Sequence, residues 1–224
     1  MSFLPSLPSH PSFPTPVLER ASDRKLGEPV RAFESRGGVQ RALAGLLARR
    51  RGGGCRAAYL FTGGLVVDEG GGRGAAHRWD DLVAVTASGV RHAGRDRTVY
   101  RFTVTAADGG RIVLGDELAD VRELGEAVTA EVAQRVLQGY LERVAAGEPV
   151  RIGPFEVGRD GVRREDEMVP WPAVDEVDID NGMVTVRSRD GVRALTAIAS
   201  QVPNAVALVT LCRNLAGGNG APPR

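Results

Sequence analysis

Six arginines crowd a stretch that holds no acid. Arg36, Arg41, Arg49, Arg50, Arg51 and Arg56 fall in a run, from Arg36 to Val67, without Asp or Glu. Guanidinium groups at that density attract phosphates and carboxylates. Among them Val39, Leu43, Leu46 and Leu47 stand at i, i+4, i+7 and i+8, one face of a short helix. Gly45 weakens that helix and Gly52-Gly53-Gly54 ends it. A basic amphipathic helix can lie in an anionic membrane interface, each basic residue contributing about 1 kcal/mol near the surface. The same pattern also describes a surface helix whose leucines dock on the fold while its arginines stay in water. No stacking aromatics interleave the arginines, which disfavours nucleic acid.

Other residue types with chemical potential are scattered. Asp80 with Asp81, and Asp175, Glu176, Asp178 and Asp180, form acidic clusters that could hold a cation or act as acid and base. In an extended segment, however, Glu176, Asp178 and Asp180 fall on a solvated face, with Val177 and Ile179 turned inward. His10, His77 and His92 have no Cys, Asp or Glu beside them at metal-ligand spacing. Gly70–Gly74 lacks the Gly-Lys-Ser/Thr ending of a phosphate loop and reads as a hairpin turn. Cys55 and Cys212 form no zinc spacing, and Cys212 sits in an apolar helical pattern that suits a small buried thiol. No Gly-x-Ser-x-Gly elbow is present. The expectation is a chain without catalytic, metal or cofactor residues.

The elements around these residues are organised by a repeat. Trp79 is followed by Leu82 and Val85, and Trp171, the only other tryptophan, by Val174 and Val177. Gly64-Leu65 and Gly161-Val162 stand upstream, and Asp108-Gly109 and Asp190-Gly191 downstream. Gly-Glu-Pro-Val-Arg occurs at 27–31 and again at 147–151. A duplicated unit must be sought before anything else is read, because it sets the whole fold. Trp79, Leu82, Val85, Trp171, Val174 and Val177 are expected to be core, since an indole buries a large area and needs one partner for its N–H. The distance from the Gly-Glu-Pro-Val-Arg motif to the following Gly is longer in the first copy, so residues of about 36–54 read as an insertion there.

Tyr100, Phe102 and Val104 alternate with polar residues as in a half-buried strand, and Asp108-Gly109-Gly110 and Asn181-Gly182 are hairpin turns. Helical spacing spans roughly 117–145 and 205–215, with Gly147 and Pro149 stopping the first helix. Each unit thus reads as short antiparallel strands closed by a C-terminal helix, an α+β class. Prolines at 5, 8, 11, 14 and 16 predict an extended, disordered tail over residues 1–26, and residues 217–224 read as a second loose end. The net charge of +1 over 224 residues gives no global pull toward nucleic acid or acidic lipid. With no apolar run long enough to span a bilayer and no signal peptide, a cytoplasmic chain is expected.

The stretch Tyr59-Leu60-Phe61-Thr62-Gly63-Gly64-Leu65, the step Arg78-Trp79-Asp80-Asp81-Leu82, the segment Val169-Pro170-Trp171-Pro172-Ala173-Val174 and Val202-Pro203-Asn204 before the last helix resemble an uncharacterised bacterial family with tandem pleckstrin-homology-like (PH-like) units. The resemblance covers about 27–216 and carries no established activity. It implies two units, 27–146 with the basic insertion and a compact 147–216, each a small bent sheet or partial barrel closed by its helix. The functional expectation is a non-catalytic binding or scaffolding protein that recognises a peptide or a lipid headgroup. The alternative is a peripheral component at the inner face of the membrane, or a self-assembling one.

Overall fold

The computed structural model describes residues 13–35, 55–91, 98–191 and 194–218. Among them are fourteen strands in four small antiparallel sheets and three helices, a mixed α+β chain in which no sheet closes into a barrel. Two compact bodies divide it: residues up to Trp79 with Glu117–Asp120, and Asp80–Asp116 with Val121 onward.

The first body holds helix α1 (Thr15–Asp23) and one sheet in sequential order, β1 (Pro29–Glu34), β2 (Ala57–Phe61), β3 (Gly64–Gly70) and β4 (Arg73–Arg78). The second begins with the meander β5 (Leu82–Arg91), β6 (Thr98–Ala106) and β7 (Arg111–Leu114), followed by helix α2 (Val121–Ala145). Next come the four-stranded meander β8 (Val150–Ile152), β9 (Phe155–Val157), β10 (Gly161–Arg164) and β11 (Glu167–Pro170), and the three-stranded meander β12 (Val174–Asp180), β13 (Met183–Ser188) and β14 (Ala194–Ile198). Helix α3 (Ala205–Gly218) ends the order.

Four strands, a 3-10 turn, three strands and a helix therefore occur twice in succession. The register matches as well as the order. Gly64 pairs with Arg78 and Gly161 with Pro170, each the residue before a tryptophan. Neither glycine has room for a Cβ, which would meet the His77 or the Val169 carbonyl across the ladder. The Trp79 N–H donates to the Gly63 carbonyl and the Trp171 N–H to the Asp160 carbonyl, both at 3.1 Å. Each tryptophan opens a 3-10 turn, Trp79–Asp81 or Trp171–Ala173, and each is buried.

The +3 and +6 spacing then has a physical cause. In a regular strand Leu82 and Val85 would face opposite sides. A bulge between Leu82 and Ala84 absorbs one residue, and the bulge between Val174 and Glu176 does the same for Val174 and Val177. All four aliphatics are buried.

The structure differs from the sequence reading at four places. Thr15–Asp23 is helical, where proline density predicts an extended tail. Pro16 lies in the first turn, where a missing N–H forfeits no bond, and the Pro14 carbonyl accepts the Val17 and Leu18 N–H groups. Strands β1, β4, β8 and β11 are absent from the sequence reading, because β8 and β11 are too short to show periodicity and β1 and β4 lack a clear apolar alternation. The two Gly-Glu-Pro-Val-Arg motifs are one residue out of step structurally: a bulge between Pro29 and Arg31 turns Val30 out to 58% exposure, whereas Val150 is 0% exposed. Ile179, expected to face inward, is 40% exposed at the end of its strand.

In the second body α2 packs against α3, β5 and β6, and α3 against β12. Phe155, Val157, Val162, Trp171, Val186 and Leu211 form the centre of one continuous core there. Asn204, buried and with φ +55°, precedes α3 as Asp120, with φ +51°, precedes α2.

Candidate anion-binding site

Strands β1 and β2 form a hairpin whose ladder runs out to Glu34↔Ala57. Its connection comprises residues 35–56. At the matching place in the second four-stranded sheet, Ile152 pairs with Phe155 and only Gly153 and Pro154 lie between them. Gly153 makes that tight turn with φ +58°, a conformation glycine adopts without steric cost.

The mouth of the longer connection is held on both sides. The Ser35 N–H donates to the Arg56 carbonyl at 2.8 Å, and the Arg56 N–H donates to the Asp68 carbonyl at 2.7 Å. Ser35 also forms an antiparallel bridge with Leu118. The connection thus starts and ends at fixed points of the first sheet. Arg36, Arg41, Arg49, Arg50 and Arg51, and the helix expected over Val39–Leu47, lie outside the described residues. Arg56 is exposed, and its side chain lies along Gly70, where a Cβ would collide with it.

Acids flank this mouth. Cys55 is buried, and its Sγ donates to the Ala57 carbonyl at 3.1 Å. Burial, then the negative charges of Glu117 and Asp68, push its thiol up to about 12. Tyr59 on the adjoining strand is also pushed up, by burial first and then by Glu34, Asp68 and Cys55. Glu34, Asp68 and Glu117 thus place carboxylates near this mouth. Asp68 and Glu117 come from separate parts of the sequence, and only the fold brings them to Cys55.

Three of the other acidic candidates are engaged in ion pairs. Asp80 lies 3.2 Å from Arg135 Nε, and Arg135 also pairs with Glu131 at 2.6 Å. Glu176 and Asp178 both engage Arg187 at 3.0 Å, so that acidic face carries its own cation. No group of three or more potential metal ligands occurs among the described residues. His77 lies on β4 opposite Leu65, and His10 and His92 lie outside the described residues. Cys55 and Cys212 are free and buried. Among the described residues no helix is long and apolar enough to cross a membrane.

A family model matches residues 41–217, most of the chain. The chain belongs to DUF6585, a family of unknown function. The family match includes Arg41, Arg49, Arg50, Arg51 and Arg56 of the basic connection, both tryptophans and the last helix, and it starts after Arg36 and α1. No curated protein matches the chain.

Proposed function

We propose that the chain is a non-catalytic binding module made of two PH-like units, and that it recognises anionic headgroups through the connection between β1 and β2. The resemblance to PH-like units is supported by the twice-repeated order of four strands, 3-10 turn, three strands and helix. The observation that carries the functional reading is the contrast between two equivalent hairpins. One is closed by Gly153-Pro154; the other opens into a segment bearing six arginines and no acid. A hairpin needs no such segment for its own stability.

Charge supports a surface rather than a pocket as the ligand. The chain is nearly neutral as a whole, so the positive charge is local, and a local basic segment binds an anionic interface in a salt-dependent way. Anchored at Ser35 and Arg56, the segment would hold the first sheet at that interface, a peripheral attachment.

The test is co-sedimentation of the full chain with vesicles of phosphatidylcholine alone or with one-fifth phosphatidylserine, at low and high salt. Binding to the anionic vesicles, lost at high salt and lost when Arg41, Arg49, Arg50 and Arg51 are changed to Ala, is expected. Competition by inorganic phosphate at millimolar concentration would assign the site to free phosphate groups rather than to a surface. Equal recovery with neutral and anionic vesicles at low salt overturns the reading.

A further inference from the structure

The two four-stranded sheets differ on one face, and the difference is in register. In the first sheet, Ala32 pairs with Tyr59, Tyr59 with Val66 and Val66 with Ala76, one row across four strands. The equivalent row of the second sheet is Arg151, Glu156, Arg163 and Met168. That polar row is tied by an Arg151–Glu156 ion pair at 3.3 Å and by Arg163 Nη2 donating to Met168 Sδ at 3.7 Å. The opposite faces of both sheets are apolar and buried, for example Leu60 and Leu65 in the first and Val157 and Val162 in the second. The first sheet therefore has two apolar faces where the second has one.

The extra face is covered by residues 13–26. Phe13 meets Tyr59 and Phe61 at ring centroid distances of 5.6 and 5.5 Å. Val17 and Ala21, one turn apart, are buried in the same cluster. Leu26, 0% exposed, is fixed more firmly: the Gly63 N–H donates to its carbonyl at 2.7 Å, and a Cβ on Gly63 would stand 2.9 Å from that oxygen. In the second sheet Asp160 occupies the place of Gly63, since no such leucine has to be admitted there. Between α1 and Leu26, Lys25 turns the chain at φ +55°.

We propose that residues 13–23 are an intramolecular ligand: a helical strap that undocks about the Arg24-Lys25 turn, with Leu26 staying in place, and uncovers an aromatic docking face on the first sheet. Three observations carry this. The second sheet stands with the equivalent face polar and uncovered, so the sheet does not require a helix there. The strap is held by one apolar stripe, and a polar tie to the sheet, Arg20 Nη2 donating to the Gly72 carbonyl at 2.8 Å, lies in an exposed place. A helix of nine residues without a side-chain N-cap is also too short to persist once undocked. The face selects a short amphipathic helix with small aliphatics at i and i+4 and an aromatic residue just ahead of its first turn, the pattern of Val17, Ala21 and Phe13. The proposal does not depend on the arginine segment.

Amide hydrogen exchange of the full chain is the first test. Amides of residues 17–23 are expected to exchange about two orders of magnitude faster than those of β2 and β3, by local opening. Equal protection would mean that α1 opens only with the sheet and would overturn the proposal. The second test uses Val17→Asp to eject the strap. This chain is expected to melt cooperatively and to bind a labelled synthetic peptide of residues 11–26, which the parent chain does not bind. Adding Tyr59→Glu and Val66→Arg, which copies the polar row of the second sheet, should abolish that binding. Loss of cooperative melting in Val17→Asp, or binding that survives the polar row, overturns the proposal. A concentration-dependent dimer of the parent chain, lost in Val17→Asp, would assign the strap to a second copy and overturn it equally.

Discussion

The Oδ1 of Asn204 accepts the backbone N–H of Val85 at 2.9 Å, and the Asn204 N–H donates to the Val85 carbonyl at 2.8 Å. One residue ahead of the last helix thus pairs with β5 as a strand would, joining positions far apart in sequence. Its Nδ2 donates to the Val83 carbonyl at 2.8 Å and to Tyr140 Oη on α2 at 3.1 Å. The Val83 carbonyl lies within the β5 bulge, where the ladder to β6 is interrupted. Three side-chain bonds of about 1 kcal/mol each, plus a backbone that asparagine tolerates in the left-handed region, are lost in Asn204→Ala. Urea denaturation is expected to show a loss of about 4 kcal/mol. Asn204→Gly should lose about 1 kcal/mol less, because it keeps the backbone free of strain. Equal losses would mean that the φ of +55° contributes nothing.

Two glycines of α2 should respond in opposite directions to alanine. Gly125 is buried under Phe102, and a Cβ there would penetrate the aromatic ring. Gly139 has nothing within 4 Å of such a Cβ. Gly139→Ala is expected to stabilise by up to about 1 kcal/mol through helix propensity, and Gly125→Ala to destabilise by about 1–3 kcal/mol through overpacking. Thermal melts of the two single variants check the sign.

Trp171 is 1% exposed, with its Nε1–H donating to the Gly158 carbonyl at 3.2 Å. Trp171→Ala should cost about 3–5 kcal/mol. Trp171→Phe keeps most of the packing but leaves that carbonyl without the indole donor, at about 1–2 kcal/mol. Chemical denaturation of both variants separates the packing from the bond.

Alkaline pH should destabilise the fold through its thiols. Burial raises Cys212 from 9.0 to about 12, and Cys55 reaches about 12 by burial together with Glu117 and Asp68. A raised thiol pKa means that the folded state keeps its proton while the unfolded chain loses it. The stabilisation is therefore complete below pH 9 and is lost as pH climbs from 9 toward 12. At pH 10.5 each thiol should account for about 2 kcal/mol of lost stability. The double variant Cys55→Ala, Cys212→Ala, compared with the parent at pH 8 and 10.5, should show a much flatter decline. An unchanged slope would place the alkaline sensitivity elsewhere.

Much of the fold is legible in the residues because it depends on local chemistry. Trp79 and Trp171 with their aliphatics, the Gly64 and Gly161 pairing positions, and the turns at Asp108-Gly109 and Asn181-Gly182 all report their places through residue type alone. A glycine where a Cβ would strike a carbonyl, or an Asn-Gly where φ must be positive, is a demand the backbone makes on the sequence directly. The basic character of residues 36–56, and the status of about 36–54 as an insertion relative to the second copy, are likewise written in composition and spacing.

Only the tertiary structure decides which face a residue serves. Val30 and Val150 sit in identical five-residue motifs, yet a bulge turns one outward and leaves the other buried, because a shift of one residue along a strand exchanges its faces. Tyr59 and Glu156 share a register position, but nothing in either neighbourhood announces that α1 covers one and water the other. The same holds for the acids Asp68 and Glu117, which reach Cys55 through strand pairing and chain return. Sequence specifies turns, caps and periodicity because those are interactions between near neighbours; burial and field depend on what the rest of the chain brings alongside.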